Sequence, residues 1–240
     1  MKKIAIVLAA GRGKRMNSDV AKQYLMLGDK PVLYYSLKMF EESDIDEVYL
    51  VTTLEECAYC EKEIVEKFGF EKIVRVVAGG KERYHSVYEG LKAVSENNQL
   101  SKTTYIYIHD GARPFLDKEM LGRLHETVLE FGVAVAAVPC KDTIKKTDSK
   151  GFVIETPNRE SMWQVQTPQV FSFDMVLSAY TKLMQQEEKF RAKGISITDD
   201  AMVVESLLGG TIKLVEGDYK NIKITTPEDL LVAHAFLNSI

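Results

Sequence analysis

The segment VLAAGRGKRM (residues 7–16) combines small residues with cations in a pattern that suits phosphate binding. Gly11 and Gly13 allow the backbone to pass close to an anion, and the N–H groups of such a loop can surround phosphate oxygens. Arg15, together with Lys22 a few residues later, supplies positive charge for a triphosphate. The segment therefore predicts a loop that binds the phosphates of a nucleotide.

Two common phosphate-binding loops do not fit this segment. A Walker A loop has the pattern G-x-x-x-x-G-K-[ST], but Met16 stands where the second glycine is needed. A Rossmann dinucleotide loop needs its third glycine at the same position and an acidic residue near the end of the second strand. The second predicted strand ends EVYLVTT (47–53) and has no such acid. An NAD-dependent dehydrogenase is therefore disfavoured.

The composition limits the class of protein and of partner. The chain has 240 residues, a net charge of −4 and no apolar run near the roughly 20 residues of a membrane helix, so we expect one soluble domain spanning 1–240. An acidic chain is a poor general binder of nucleic acid. Residues 1–30, however, hold seven basic and two acidic side chains, which favours a small polyanionic partner. No presequence pattern precedes the first strand, and we expect a cytoplasmic protein.

Three cysteines are present, Cys57, Cys60 and Cys140. Cys57 and Cys60 form a C-x-x-C pattern within a helical segment, but a zinc site needs four ligands and no second pair follows. We interpret all three as free thiols in a reducing compartment.

Apolar β-rich runs alternate with helical patterns, which is typical of βαβ units and a mainly parallel sheet. The predicted strands are 4–9, 47–53, 72–78, 104–109, 133–139 and 211–216. The predicted helices lie near 32–42, 55–68, 83–97, 117–131 and 173–191, followed by one capped by Thr198 and one beginning at Pro227. In such an α/β fold, ligands bind beyond the carboxyl ends of the strands, where the first loop lies.

Residues 140–162 break the βα alternation. Their apolar residues alternate around a turn at Asp148–Gly151, which predicts a β-hairpin that projects as an arm.

Several segments carry a family resemblance. The opening LAAGRGKRM, AKQYL and GDKPVL resembles nucleotidyltransferases with a glycosyltransferase-A-like, Rossmann-related α/β fold. Six later segments, in order, resemble the 2-C-methyl-D-erythritol 4-phosphate cytidylyltransferase family: AGGKERYHSV, IHDGARPF, VPCKDTIKKT, NRESMWQVQTPQVF, ITDDA and NIKITTPEDL. The resemblance implies transfer of CMP from CTP to a sugar-alcohol phosphate in non-mevalonate isoprenoid synthesis, with release of pyrophosphate.

The resemblance also implies roles for individual residues. Arg15 and Lys22 would stabilise charge at the α-phosphate, and Asp110 would hold Mg²⁺. The implied nucleotide-binding residues are Ala9, Ala10, Gly11, Gly13, Gly79, Gly80, Ser86 and Gly111. The residues implied to position the acceptor phosphate are Arg113, Thr143, Arg159 and Lys223. Because Thr143 and Arg159 lie on the arm, which in the family reaches into a neighbouring subunit, we expect a homodimer with a shared active site.

The implied chemistry fits a site in which no Ser-His or His-Asp pair is evident as a catalytic base. A phosphomonoester is largely ionised at neutral pH, so the nucleophile needs no general base. We interpret His109, which precedes Asp110, as structural. Trp163 is expected to pack in the arm or the core.

Two other functions stay open at this stage. A ribitol-5-phosphate cytidylyltransferase would share the chemistry and differ in the acceptor, although Trp163, Lys145 and the segment 198–201 resemble the erythritol enzymes more closely. A catalytically silent nucleotide-binding homologue should lack one of Arg15, Lys22 or Asp110, and this chain has all three.

Overall fold

One seven-stranded sheet forms the centre of the computed structural model, which describes residues 1–238 except 12, 14–15, 17–19 and 97–99. From edge to edge the strands are β11 (Leu214–Glu216), β7 (Val133–Pro139), β10 (Trp163–Ser172), β6 (Thr104–Asp110), β1 (Lys2–Leu8), β4 (Glu47–Thr52) and β5 (Ile73–Ala78). Neighbouring strands are parallel except that β10 is antiparallel to both β7 and β6. The mainly parallel α/β sheet predicted from the sequence is confirmed.

Helices cover both faces of this sheet. They are α1 (Val32–Glu41), α2 (Cys57–Tyr59, continued by a π-helix Cys60–Glu66), α3 (Arg83–Ser95), α4 (Lys118–Phe131), α5 (Phe173–Ala192), α6 (Asp200–Leu208) and α7 (Pro227–Leu237). Along β1, Ile4 and Ile6 belong to one apolar cluster while Ala5 and Val7 belong to the other. Burial on both faces explains why β1 is a continuous apolar run instead of an alternating one.

Short elements connect the sheet and the helices. After β1 the chain makes a 3₁₀ turn at Lys22–Tyr24 and a small hairpin of β2 (Met26–Leu27) and β3 (Lys30–Pro31). The predicted arm is confirmed as a hairpin of β8 (Lys146–Thr147) and β9 (Val153–Glu155). Within the described part of the chain, no helix combines the length and the apolar character that a membrane span requires.

The structure differs from the sequence-based prediction at several places. Strand β10 was not predicted, and β11 covers only the last three residues of the predicted strand 211–216. The N-cap of α6 is Asp199, whose carboxylate accepts from the Met202 N–H, so the prediction of Thr198 was wrong by one residue. The predicted start of the last helix at Pro227 is confirmed.

Candidate active site

A cleft of about 820 Å³ lies beyond the carboxyl ends of β1, β4, β5 and β6. It is lined by most of the residues predicted to bind the nucleotide: Ala9, Ala10, Gly11, Gly13, Gly79, Gly80 and Ser86. Lys22, predicted at the α-phosphate, Asp110, predicted to hold Mg²⁺, and Lys223, predicted at the acceptor phosphate, line it as well. Arg15, the second cation predicted at the α-phosphate, lies outside the described residues. The cleft is where ligands bind in open α/β sheets.

Gly13 and Lys22 pack against each other at the mouth of the cleft. Gly13 has φ +59°, and a Cβ added to it would come within 3.2 Å of the Cβ, Cγ and Cδ of Lys22. The buried Gln23 anchors the same turn, because its side-chain amide donates to the Ala9 carbonyl. The glycine therefore makes room for the stem of Lys22. The supporting role of Gln23 was not predicted from the sequence.

Gly79 and Gly80 meet the start of α3 at the other end of the cleft. The Gly79 N–H donates to the Thr52 carbonyl at 2.7 Å, and the Gly80 N–H donates to Ser86 Oγ at 3.2 Å. A Cβ on Gly79 would lie 2.6 Å from Ser86 Oγ. The two glycines therefore make room for the Ser86 and His85 side chains at the start of α3, and both glycines line the cleft.

Gly111 does not line the cleft. Its N–H donates to the Leu8 carbonyl at 2.9 Å, and an added Cβ would lie 2.7 Å from Leu33 Cδ1. Close packing beneath the cleft accounts for this glycine.

Asp110 ends β6 and is surrounded by cations. Arg83 Nε donates to its Oδ1 at 3.0 Å, Lys223 Nζ lies 2.7 Å from its Oδ2, and Arg113 Nε lies 4.0 Å from the same Oδ2. Burial raises the pKa of the Asp110 carboxyl, but the positive charges of Arg83, Lys223 and Arg113 outweigh it and hold that pKa well below its ordinary value. The carboxylate is therefore ionised at neutral pH.

Two backbone contacts bring Lys223 and Arg113 to this position. The Ile224 N–H donates to the Ala112 carbonyl at 2.9 Å, which fixes the segment carrying Lys223 beside the end of β6. Arg113 Nη1 donates to the Asn221 carbonyl at 2.7 Å. Lys223, which from sequence alone could equally be an outward strand lysine, lies in the cleft.

Arg83, which was not predicted as a site residue, links two carboxylates at the site. Its Nη1 and Nη2 each donate to one oxygen of Asp200 at 2.8 Å, while its Nε holds Asp110. Asp200 is completely buried at the start of α6. The sequence signal for this pairing was the second acid of Thr198-Asp199-Asp200. Asp199 alone is enough to cap α6, so Asp200 is free for another role.

His109 is structural, as expected. It is completely buried, Thr167 Oγ1 lies 3.1 Å from its Nδ1, and its Nε2 lies 3.2 Å from the Arg113 carbonyl oxygen. The Asp110 N–H donates to the same Thr167 hydroxyl at 3.0 Å. Burial lowers the pKa of His109 to about 4, so the imidazole is neutral.

The arm residues predicted to bind the acceptor phosphate stand apart from this cleft. Thr143 and Arg159 are exposed, and neither is among the described residues that line it. Arg159 Nη1 donates to the Lys141 carbonyl at 3.1 Å and so remains on its own arm. Within one chain, of the four residues predicted for the acceptor phosphate, Lys223 lines the cleft and Arg113 lies beside Asp110 without lining it, while Thr143 and Arg159 are outside it.

A mainly parallel sheet with a cation-rich cleft and a glycine loop at the strand ends is the arrangement expected of a nucleotidyltransferase. Comparison with known sequences and structures then identifies which one. Residues 3–239 match the profile of the IspD family, 2-C-methyl-D-erythritol 4-phosphate cytidylyltransferase.

Individual relatives agree with this match. The chain is 49% identical to 2-C-methyl-D-erythritol 4-phosphate cytidylyltransferase of Lachnospira eligens, over 97% of this chain and 98% of that protein. It is 44% identical to the protein of the same name from Caldanaerobacter subterraneus subsp. tengcongensis, over 97% of each chain. The crystal structure of 4-diphosphocytidyl-2C-methyl-D-erythritol synthase from Anaerococcus prevotii superposes with a TM-score of 0.81 at 32% identity, covering 99% and 96% of the two chains.

The chain belongs to the 2-C-methyl-D-erythritol 4-phosphate cytidylyltransferase family and is a cytidylyltransferase. The family resemblance stated from the sequence motifs is confirmed.

Proposed function

We propose that this enzyme transfers CMP from CTP to 2-C-methyl-D-erythritol 4-phosphate, giving 4-diphosphocytidyl-2-C-methyl-D-erythritol and pyrophosphate, with the residues of the cleft in defined roles. The observation that carries the assignment of roles is the convergence of Lys22, Gly79–Gly80 and the Asp110–Lys223 pair on one cleft. The glycines accept the cytosine edge, and Lys22 faces the triphosphate.

The chemical step joins two anions. An oxygen of the acceptor phosphate attacks the α-phosphorus of CTP, a new P–O bond forms, and the bond to pyrophosphate breaks. Lys22, with Arg15, offsets the negative charge that builds up around the α-phosphorus, while Lys223 and Arg113 orient the acceptor phosphate. Because the attacking phosphate is already ionised, no side chain has to remove a proton.

A magnesium ion would fit this site with Asp110 as its protein ligand and the substrate phosphates as its other ligands. Among the described residues, no group of three or more His, Cys, Asp or Glu side chains could hold a metal ion. A single carboxylate such as Asp110 is enough on the protein side, since Mg²⁺ is often held by one or two carboxylates together with substrate phosphates. When bound, Mg²⁺ would neutralise charge on the triphosphate. The described residue that would hold it is Asp110.

A homodimer with exchanged arms supplies the missing acceptor contacts. The arm carries exposed apolar side chains at Phe152, Val153 and Ile154, which are 71%, 56% and 63% exposed. Neighbouring exposed apolar residues are typical of interaction surfaces. If a second subunit covers this arm, Thr143 and Arg159 reach the partner's cleft, where a bidentate guanidinium and a hydroxyl suit a phosphate. We also place the enzyme in the cytoplasm, where its three free thiols fit the reducing conditions.

The acceptor is tested by measuring pyrophosphate release with CTP and each candidate acceptor separately. We expect turnover with 2-C-methyl-D-erythritol 4-phosphate and little with ribitol 5-phosphate. The reverse preference would contradict the proposed substrate. Turnover with neither, together with tight CTP binding, would favour a catalytically silent nucleotide-binding homologue.

Arm exchange is tested by subunit mixing. Lys22→Ala removes a cleft residue and Arg159→Ala removes an arm residue, so a mixed dimer contains one cleft with both native residues if the arms cross. We expect each variant alone to be nearly inactive and the mixture to recover part of the activity. Mixed dimers, demonstrated by mass spectrometry, that recover none would contradict the shared site.

A further inference from the structure

The two oxygens of Asp110 have different partners. Oδ1 accepts from Arg83 Nε at 3.0 Å, on the side facing the start of α3. Oδ2 faces Lys223 at 2.7 Å and Arg113 at 4.0 Å, and Lys223 is the residue assigned above to the acceptor phosphate. When Lys223 turns to that phosphate, Oδ2 loses its nearest partner while Oδ1 keeps its own.

A second carboxylate, Asp200, fixes the guanidinium of Arg83 at the two nitrogens that do not bond Asp110. Its two terminal nitrogens bind both oxygens of Asp200 at 2.8 Å, and the Asp200 side chain has no exposed surface. Tyr180 donates a further hydrogen bond to Asp200 Oδ1. A fork-to-fork pair of this kind fixes the guanidinium in its plane as well as in position.

The start of α6, which carries Asp200, is itself tied to β10. The Ala201 N–H donates to Gln169 Oε1 at 2.8 Å, and Gln169 Nε2 donates to Asp199 Oδ2 at 3.0 Å. Gln169 is buried in the strand that pairs with β6, the strand that ends at Asp110. Hydrogen bonds through Gln169 therefore connect the start of α6, which carries Asp200, to the sheet in which β6 ends at Asp110.

From this geometry we propose that Arg83 is a positioning residue, anchored by Asp200, that fixes Oδ1 of Asp110 and leaves Oδ2 as the oxygen that changes partners during turnover. Each of the three guanidinium nitrogens already has a carboxylate partner, so Arg83 acts through Asp110. Asp200 in turn acts through Arg83. The inference rests on the role proposed for Asp110 in the cytidylyl transfer.

Three variants test whether Arg83 and Asp200 affect the reaction in addition to the stability of the fold. Asp200→Asn keeps the shape of the anchor but removes its charge and one acceptor, and Arg83→Lys keeps the charge but cannot reach two carboxylates at once. We expect each to lower kcat about 10- to 100-fold, as the loss of an outer partner of a functional group does, and to leave the KM for CTP within about twofold. Tyr180→Phe is the matched control, because it removes a hydrogen bond to Asp200 and leaves Arg83 untouched; it should keep kcat within about threefold.

The combination of Asp200→Asn with Arg83→Lys gives the sharpest test. Because Asp200 acts only through Arg83, the double variant should be no slower than Arg83→Lys alone. CTP affinity from titration calorimetry should stay close to that of the wild type, whereas the melting temperature should fall, because Asp200→Asn and Arg83→Lys each disrupt a buried ion pair. Multiplied losses in the double variant would overturn the inference.

The Asp110→Asn variant separates the positioning role of Arg83 from the role of Asp110 itself. An inactive Asp110→Asn with fully active Arg83→Lys and Asp200→Asn would overturn the positioning role alone. An active Asp110→Asn would overturn the role of Asp110 and this inference with it. If Asp200→Asn does not fold, Arg83→Lys decides, and wild-type kcat in that variant contradicts the inference.

Discussion

Lowering the pH should destabilise this enzyme through His109 before any carboxylate of the site is protonated. His109 is completely buried, and burial lowers its pKa to about 4. In the unfolded chain an imidazole has a pKa of about 6.5. Between these two values the unfolded state binds a proton that the folded state does not, so stability falls as the pH falls from about 6.5 to about 4.

The size of the effect follows from the difference between the two pKa values. At 1.36 kcal/mol per unit, the full loss is about 3 kcal/mol, and between pH 7 and pH 5 it is about 2 kcal/mol. Asp110 contributes in a separate range: its folded pKa is depressed, so its contribution is lost only below the ordinary aspartate pKa of about 4. The fall above pH 5 therefore does not come from Asp110.

Urea unfolding at pH 7 and pH 5, at one fixed protein concentration, measures the effect as a free energy of unfolding. His109→Gln should lose most of the difference between the two pH values even if it is less stable at both. His125→Gln is the matched control and should keep most of the difference, because His125 is only partly buried although burial also lowers its pKa. An unchanged pH dependence in His109→Gln would refute the assignment of the effect to this imidazole.

Three further predictions concern the cleft. Lys22→Ala should lower kcat about 10²- to 10³-fold with little change in CTP affinity, since it removes a cation from the transition state; equal rates in a pyrophosphate-release assay would contradict this. Gly79→Ala should weaken CTP binding in calorimetry, because its Cβ would lie 2.6 Å from Ser86 Oγ, whereas Gly122→Ala, with no atom within 4 Å of its Cβ, should leave the affinity unchanged. Lys223→Gln should raise the KM of the acceptor about tenfold or more without changing CTP affinity, and a change in the KM for CTP alone would contradict its role.

The order of the βα units was predictable because each buried strand is an apolar run bounded by helical patterns. Strand β10 was missed because its segment WQVQTPQVFS contains polar residues and Pro168, and proline argues against a central strand. The structure accommodates this residue through a break in the ladder, where the pairing with β7 shifts register between Val165 and Gln169. The polar residues are used inside the fold, since Gln169 bonds both Asp199 and the Ala201 N–H.

The site was predictable where its residues belong to one local motif. Gly13 and Lys22 are close in sequence, and a phosphate loop requires both flexibility and charge. Arg83 and Asp200 are 117 residues apart, and each has an ordinary local explanation as a helix-start residue. The hydrogen bonds between the start of α6 and Gln169 of β10 place the buried carboxylate beside the guanidinium, so the pairing could not be inferred from either segment alone.

The electrostatics of the cleft agree with a reaction that needs positive charge and no base. The only imidazole beside Asp110 among the described residues, His109, has a pKa near 4 and both of its nitrogens in contact with protein oxygens, so it is a poor proton acceptor at neutral pH. Lys223 and Arg113 instead face a carboxylate that an incoming phosphate can replace as their partner. In the proposed exchange of partners at Oδ2, the pairs of Arg83 with Asp200 and with Oδ1 of Asp110 stay in place. An ionised phosphate nucleophile is the acceptor that such a site can use.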